Sequence, residues 1–153
     1  MLEKKHKILV AAADGAHARF FDYSHDRDGA AARQVKVMDH PAAASRDLVA
    51  DGPGHGQDSM GGGRHAIEPR TDPHELEETQ FLSGVIKEIT KESKAYDQLI
   101  LIAPPRALAI LRGHMARDVK DRVVLELNKD VLKMPAEAVA KLVEDSLAVS
   151  VLH

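Results

Sequence analysis

The sequence predicts an α/β protein of one domain: a mixed five-stranded sheet, first an antiparallel meander, then α-β-α-β-α, with helices on its faces. Three observations predict it. Two short apolar runs, Ile8-Leu9-Val10-Ala11-Ala12-Ala13 and Leu99-Ile100-Leu101-Ile102-Ala103, have the pattern of strands buried on both sides. After residue 72, strand-like runs alternate with stretches of helical periodicity, which implies parallel strands joined by right-handed crossovers. Before residue 40 strand follows strand, as in a meander. At 153 residues the chain is long enough to bury a real core. The Ile8 and Leu99 strands are expected side by side at the centre.

Each element has a local reason. After Ile8–Ala13, Asp14-Gly15 is a hairpin signal, since glycine tolerates the positive φ of a tight turn. His17 to Tyr23 reads as the return strand, and Ser24 to Ala32, polar and rich in Gly and Ala, as a loop. Arg33-Gln34-Val35-Lys36-Val37-Met38 alternates and is expected to form a third, half-exposed strand, with Pro41 closing the meander. Asp72-Pro73 with Glu75 starts a helix: Asp as N-cap, Pro at the first helical position, an acid in the first turn. Leu82, Val85, Ile86 and Ile89 recur along it to about Lys94. Gln98–Ala103 is a strand stopped by Pro104-Pro105. A helix from about Arg106 turns Leu108, Leu111 and Met115 inward and presents Arg106, Arg112, Arg117, Lys120 and Arg122 outward. Val123–Leu127 is the last strand. Pro135 opens the last helix, with Val139, Leu142, Val143 and Leu147 inward; the apolar tail to Leu152 either extends it or adds an edge strand.

Composition narrows the function. A net charge of −3 gives no global attraction to nucleic acid or anionic membrane, so such binding requires a local patch. Without cysteine there are no disulfides, thiolate zinc sites or cysteine nucleophiles. No apolar run approaches membrane-spanning length, and the run Ile8–Ala13 is too short for a secretory signal. A cytoplasmic protein with no membrane partner is expected. With no Trp, three Phe and two Tyr, stacking on bases has few rings to use.

The stretch Asp51–Glu75, within a long connection over about 41–72, stands out. It holds six of the ten glycines and three of the nine histidines but little that is apolar, so it is not an ordinary connector. Gly61-Gly62-Gly63-Arg64 offers backbone N–H groups and a guanidinium to a phosphate or carboxylate. The other reading is a flexible connection without a ligand. The P-loop spacing is absent. Asp51, His55, Asp58, His65, Glu68, Asp72 and His74 are ligand types for a metal, but none shows a fixed metal-site spacing. Ser59 and His65 lack a nucleophile elbow around the serine. Asp14 invites comparison with ribonuclease H-like folds, which hold two metals between carboxylates at adjacent strand ends. The neighbouring strand ends in Ala103-Pro104-Pro105, with no carboxylate, so a hairpin residue is the better reading of Asp14. The basic face after Pro105 is the one local positive patch, interrupted by Asp118 and Asp121.

The block Asp58-Ser59-Met60-Gly61-Gly62-Gly63-Arg64-His65-Ala66-Ile67-Glu68-Pro69-Arg70-Thr71-Asp72-Pro73-His74-Glu75 resembles the bacterial host attachment protein family, described as required for attachment to host cells. Val10–Arg19, Leu101–Arg106 and Glu126–Asp130 are similar to its other blocks, so the resemblance covers nearly the whole chain. Gly52 and His55 stand where the family pattern has arginine. That family looks like a relative of the middle domain of archaeal and eukaryotic class-one release factors. The resemblance implies that domain's fold, in which a Gly-Gly-Gln loop lies between a meander and a long helix and enters the peptidyl-transferase centre. Here Arg64 follows the glycines and Gln57 lies upstream, so binding is implied before peptidyl-tRNA hydrolysis. The implied partner is the ribosome or transfer RNA, without a cofactor, and the binding residues are Asp14, Asp58, Gly61, Gly62, Gly63, Arg64, His65, Glu68, Arg70 and Arg106. Three readings stay open: an RNA- or ribosome-binding protein acting indirectly on attachment, a hydrolase of peptidyl-tRNA or a phosphoester using Arg64 and His65, and an interaction or adhesion module, including a homo-oligomer.

Overall fold

The chain builds one five-stranded sheet in the spatial order β3-β2-β1-β4-β5. A computed structural model describes residues 7–40 and 73–152. The strands are β1 (Ile8–Ala13), β2 (His17–Asp26), β3 (Gly29–Asp39), β4 (Gln98–Ile102) and β5 (Val123–Leu127). The helices are α1 (Pro73–Ser93), α2 (Pro105–His114), the single turn α3 (Arg117–Lys120) and α4 (Ala136–Leu152). β1, β2 and β3 pair antiparallel, whereas β4 lies parallel to both β1 and β5. The mixed sheet and its central β1–β4 pair are as the apolar runs require.

Those runs are apolar throughout because both faces of the centre are covered. On one face Leu9, Ala11, Phe20, Leu99 and Leu101 pack against Leu82, Val85 and Ile89 of α1 and Leu108 and Leu111 of α2. On the other, Val10, Phe21, Tyr23, Ile100 and Ile102 pack against Val139, Ala140 and Val143 of α4. No helix among the described residues is long and apolar enough to cross a membrane.

Several local readings are corrected. Asp14-Gly15 is not a two-residue primed turn: the link is Asp14-Gly15-Ala16, and Gly29 alone among the described residues has a positive φ. The Asp14 carboxylate makes this turn, with Oδ1 accepting the N–H groups of Ala16 and His17 at 2.8 Å each. Ser24–Ala32 is not a loop. β2 runs to Asp26 and β3 starts at Gly29, so only a tight tip separates them, with Gly29 at φ 115° and Asp28 N–H on Asp26 Oδ1. Backbone pairing carries this ribbon past the last apolar side chain of β2, while Ala30 and Ala32 pack on the α4 side. The helix after Pro105 stops at His114, just past Gly113, the residue of lowest helix propensity in the run. Met115 and Ala116 are extended, and α3 restarts at Arg117. The Leu147–Leu152 tail continues α4. The N-cap expected at Asp72 lies outside the described residues.

α1 crosses the sheet toward β3, where Lys36 Nζ comes 3.5 Å from Glu88 Oε2. Glu92 sits one turn on, and its carboxyl is held above the ordinary carboxyl range by a side-chain hydrogen bond to Glu88, then by burial and the Glu88 charge, against Lys91 and Lys36. The folded chain therefore binds this proton more tightly than the unfolded chain, and stability falls as pH rises from the ordinary carboxyl range through the raised value. Glu92→Gln is expected to flatten that slope and to leave the protein slightly more stable at neutral pH. Urea unfolding between about pH 4 and 7 checks it, and an unchanged slope refutes it.

Candidate functional site

β1 and β4 run parallel, so both end at one edge of the sheet, and Asp14 and Pro104, just beyond their ends, line the same cleft there. α1 leads into the start of β4 and therefore begins at that same edge, as does α2. The carboxyl edge of adjacent parallel strands is where open α/β sheets place ligands. Here it forms a cleft of about 320 Å³, lined by Asp14, Gly15 and Ala16, His40, Glu77, Glu78 and Leu82 of α1, and Pro104, Arg106 and Ala107.

Its chemistry comes from the start of α2. Pro104 is the N-cap with no side-chain cap, and Pro105 occupies the first helical position. Leu108 N–H closes on Pro104 O, so the N–H groups of Arg106 and Ala107, two residues that line the cleft, have no partner within the helix and no side-chain cap. They make that rim attractive to an anion. The Arg106 guanidinium is held over it from α1, with Nη2 3.0 Å from Glu75 Oε2 and Nε 3.5 Å from Glu78 Oε1. On the far side, His40 N–H donates to Ala16 O at 2.8 Å, and its ring lies 5.6 Å from that of Phe81.

Gly15 is needed here for space. A Cβ on it would lie 2.5 Å from Glu78 Cγ and 2.8 Å from Cδ. Gly15→Ala is expected to push Glu78 off Arg106 at a cost of about 1 kcal/mol, near the low end for overpacking. The cost should vanish in a Glu78→Ala background, and thermal unfolding of the two single variants and the double variant measures it. Equal costs in both backgrounds would show that this contact is not the cause.

Of the binding residues expected from the sequence, Asp14 and Arg106 are brought together on this cleft. Asp58, Gly61, Gly62, Gly63, Arg64, His65, Glu68 and Arg70 lie outside the described residues. The residues flanking that connection do belong to the site: His40 lines the cleft, and the first turns of α1 supply Glu75, Glu77 and Glu78. The basic helix face is corrected. The break at Met115 divides it, Arg112 pairs with Glu126 at 2.8 Å, and Arg122 donates to Ser93 O. Among the described residues no group of three His, Asp or Glu side chains is placed to hold a metal ion.

A second cleft, of about 420 Å³, opens on the α4 side, between the ends of β2 and β3 and the turn after β5. His17, Arg19 and Gln34 line it with Val37, Asp39 and Lys133. Arg19 is fixed there by Gln34 Oε1, 2.7 Å from Nε, and by the carbonyls of Val131, Leu132 and Met134, 3.3, 3.1 and 2.7 Å from Nη1. Its guanidinium carbon lies 4.8 Å from the centre of the Phe21 ring. Sequence reading named none of these residues as functional. The available signal was the two-residue period that puts His17, Arg19 and Phe21 on one face of β2.

The fold is a single α/β domain with a cleft where its central parallel strands end. The chain belongs to bacterial archaeo-eukaryotic release factor family 12, whose family model matches residues 7–143. The release-factor side of the resemblance thus holds, while that family's description says nothing of attachment. The chain is also 31% identical over 81 residues to an uncharacterized protein of Rickettsia prowazekii. That match covers 50% of this chain and 54% of the relative, so the chain spans about half that relative's length.

Proposed function

We propose that the protein is a non-enzymatic, cytoplasmic binding protein for ribosomal or transfer RNA that uses the Gly61–Arg70 stretch together with the first cleft. The observation that carries this reading is the convergence at one sheet edge of the uncapped start of α2, Arg106 and both flanks of the Gly-rich connection. Membership of the release-factor family supports it. Glu75 and Glu78 orient Arg106 but also offset its charge, so phosphate attraction falls mainly to Arg64 and Arg70. The absence of glutamine after the glycines favours binding over hydrolysis. Any influence on attachment to host cells would follow from this activity indirectly.

Cosedimentation with ribosomes tests the reading. The protein should pellet with them at low salt and be released as salt rises, since phosphate contacts release counterions. An Arg64→Ala, Arg70→Ala double variant should bind more weakly, with the slope of log affinity against log salt reduced by about 0.7 for each lost contact to a single strand. Failure to bind ribosomes or RNA at any salt concentration would overturn it.

A further inference from the structure

We propose that the second cleft binds a planar heteroaromatic base by stacking it on the Arg19 guanidinium, and that the natural source is an unpaired nucleobase of single-stranded RNA. The source rests on the RNA-binding reading; the stacking site does not.

The flat group in question is the guanidinium of Arg19, a residue that lines this cleft. A guanidinium has two faces and an in-plane fork of donors. In Arg19, Nε and Nη1 are committed to Gln34 and to three carbonyls, which fix the plane. On one side the Phe21 ring covers it, with its centre 4.8 Å from the guanidinium carbon. Arg19 is half-buried and lines the cleft, and the side of its guanidinium away from Phe21, with Nη2, is the surface proposed for a ligand there. An immobilised cationic plane with an open face is a stacking platform, and nucleobases stack on arginine as they do on aromatic rings.

The walls select a base over a phosphate. Asp39 and Asp130 line the cleft and each has one oxygen engaged, by His17 Nδ1 at 2.8 Å and by Leu132 N–H at 3.1 Å. Their other oxygens accept from the amino and ring N–H groups of a base edge, as a carboxylate does from cytosine N4, and repel a phosphate. Val37, 48% exposed, supplies an apolar wall, and Lys133 supplies a cation for a backbone phosphate. About 420 Å³ is within the roughly 300–1,000 Å³ of small-molecule sites.

The test uses 2-aminopurine, whose fluorescence is quenched on stacking, offered to the full chain as the free riboside and within a short single-stranded RNA carrying a fluorescein label for anisotropy. Both probes should be quenched saturably, the RNA at lower protein concentration. Arg19→Lys, which keeps the charge and loses the plane, should weaken quenching about tenfold. Arg19 also holds the fold, so Val37→Glu is the second variant: it should block the cleft without lowering the unfolding temperature. If the RNA binds by anisotropy with its 2-aminopurine unquenched and Val37→Glu changes nothing, the stacking site is overturned and the RNA-binding reading survives. If the riboside is quenched while neither RNA nor ribosomes bind, the site stands and RNA as its source is overturned. No quenching of either probe overturns the proposal.

Discussion

Phe20→Ala is expected to destabilise the protein by about 3–5 kcal/mol, the range for emptying a buried aromatic site. Phe20 is fully buried in β2 and belongs to the core beneath α1 and α2. Its neighbour across the ladder is Ala11, and the next positions on that face of β1 and β2 are Ala13 and Ala18. Ala11, Ala13 and Ala18 are too short to fill the space, so only longer neighbours on that face, such as Leu9 and Met38, could lean into it, and the cavity term should be large. Phe20 also sits where β3 slips register, opposite Lys36, with Gln34 opposite Phe21. Against a typical total of about 5–15 kcal/mol, this loss brings many domains to the edge of folding. Urea unfolding should show a lower midpoint with an unchanged slope. Phe20→Leu, which refills most of the volume, should cost under about 1.5 kcal/mol. Equal costs for the two variants would mean that the ring is not what fills this space.

What could be read beforehand follows from where the signal resides. β1 and β4 were legible because burial on both faces leaves a continuous apolar run. α1 was legible because Pro73, Glu75 and the apolar period agree. The outer half of the β2–β3 ribbon was not, since Ser24, His25 and Asp26 are exposed and Ala30–Ala32 carry no alternation. Its pairing is a backbone property. The break after α2 was hidden because Leu111, Met115 and Val119 keep a helical spacing and are buried although the helix is interrupted. At the first cleft, Asp14 and Arg106 were nameable one at a time, but their meeting depends on β1 lying parallel to β4. For stacking, counting aromatic rings overlooked the flat group that the second cleft presents, which is an arginine.

Arg19→Ala is the second large effect expected, about 2–3 kcal/mol of stability, a typical figure for hydrogen bonds to a charged group. The Nη1 donors of Arg19 reach the carbonyls of Val131, Leu132 and Met134, 112 to 115 residues further along the chain. Those carbonyls lie in the turn between β5 and α4, whose own ties are few: Leu132 N–H to Asp130 Oδ1 and Met134 N–H to Val131 O. Val131 is buried, and Leu132 and Met134 pack on the α4 core, so the turn cannot swing out to hydrate its carbonyls without exposing apolar surface. With the guanidinium gone, water must satisfy three converging oxygens at a part-buried site, and Gln34 loses its partner as well. Hydrogen exchange at the Met134 amide should quicken first, because local opening of that turn then costs less than global unfolding. Arg19→Lys should recover part of the loss, since an ammonium reaches carbonyls but does not bind Gln34 with a second, in-plane donor. Unfolding midpoints and exchange rates that match the wild type in Arg19→Ala would show that the turn is held by its own apolar contacts, with the arginine no more than resting on it.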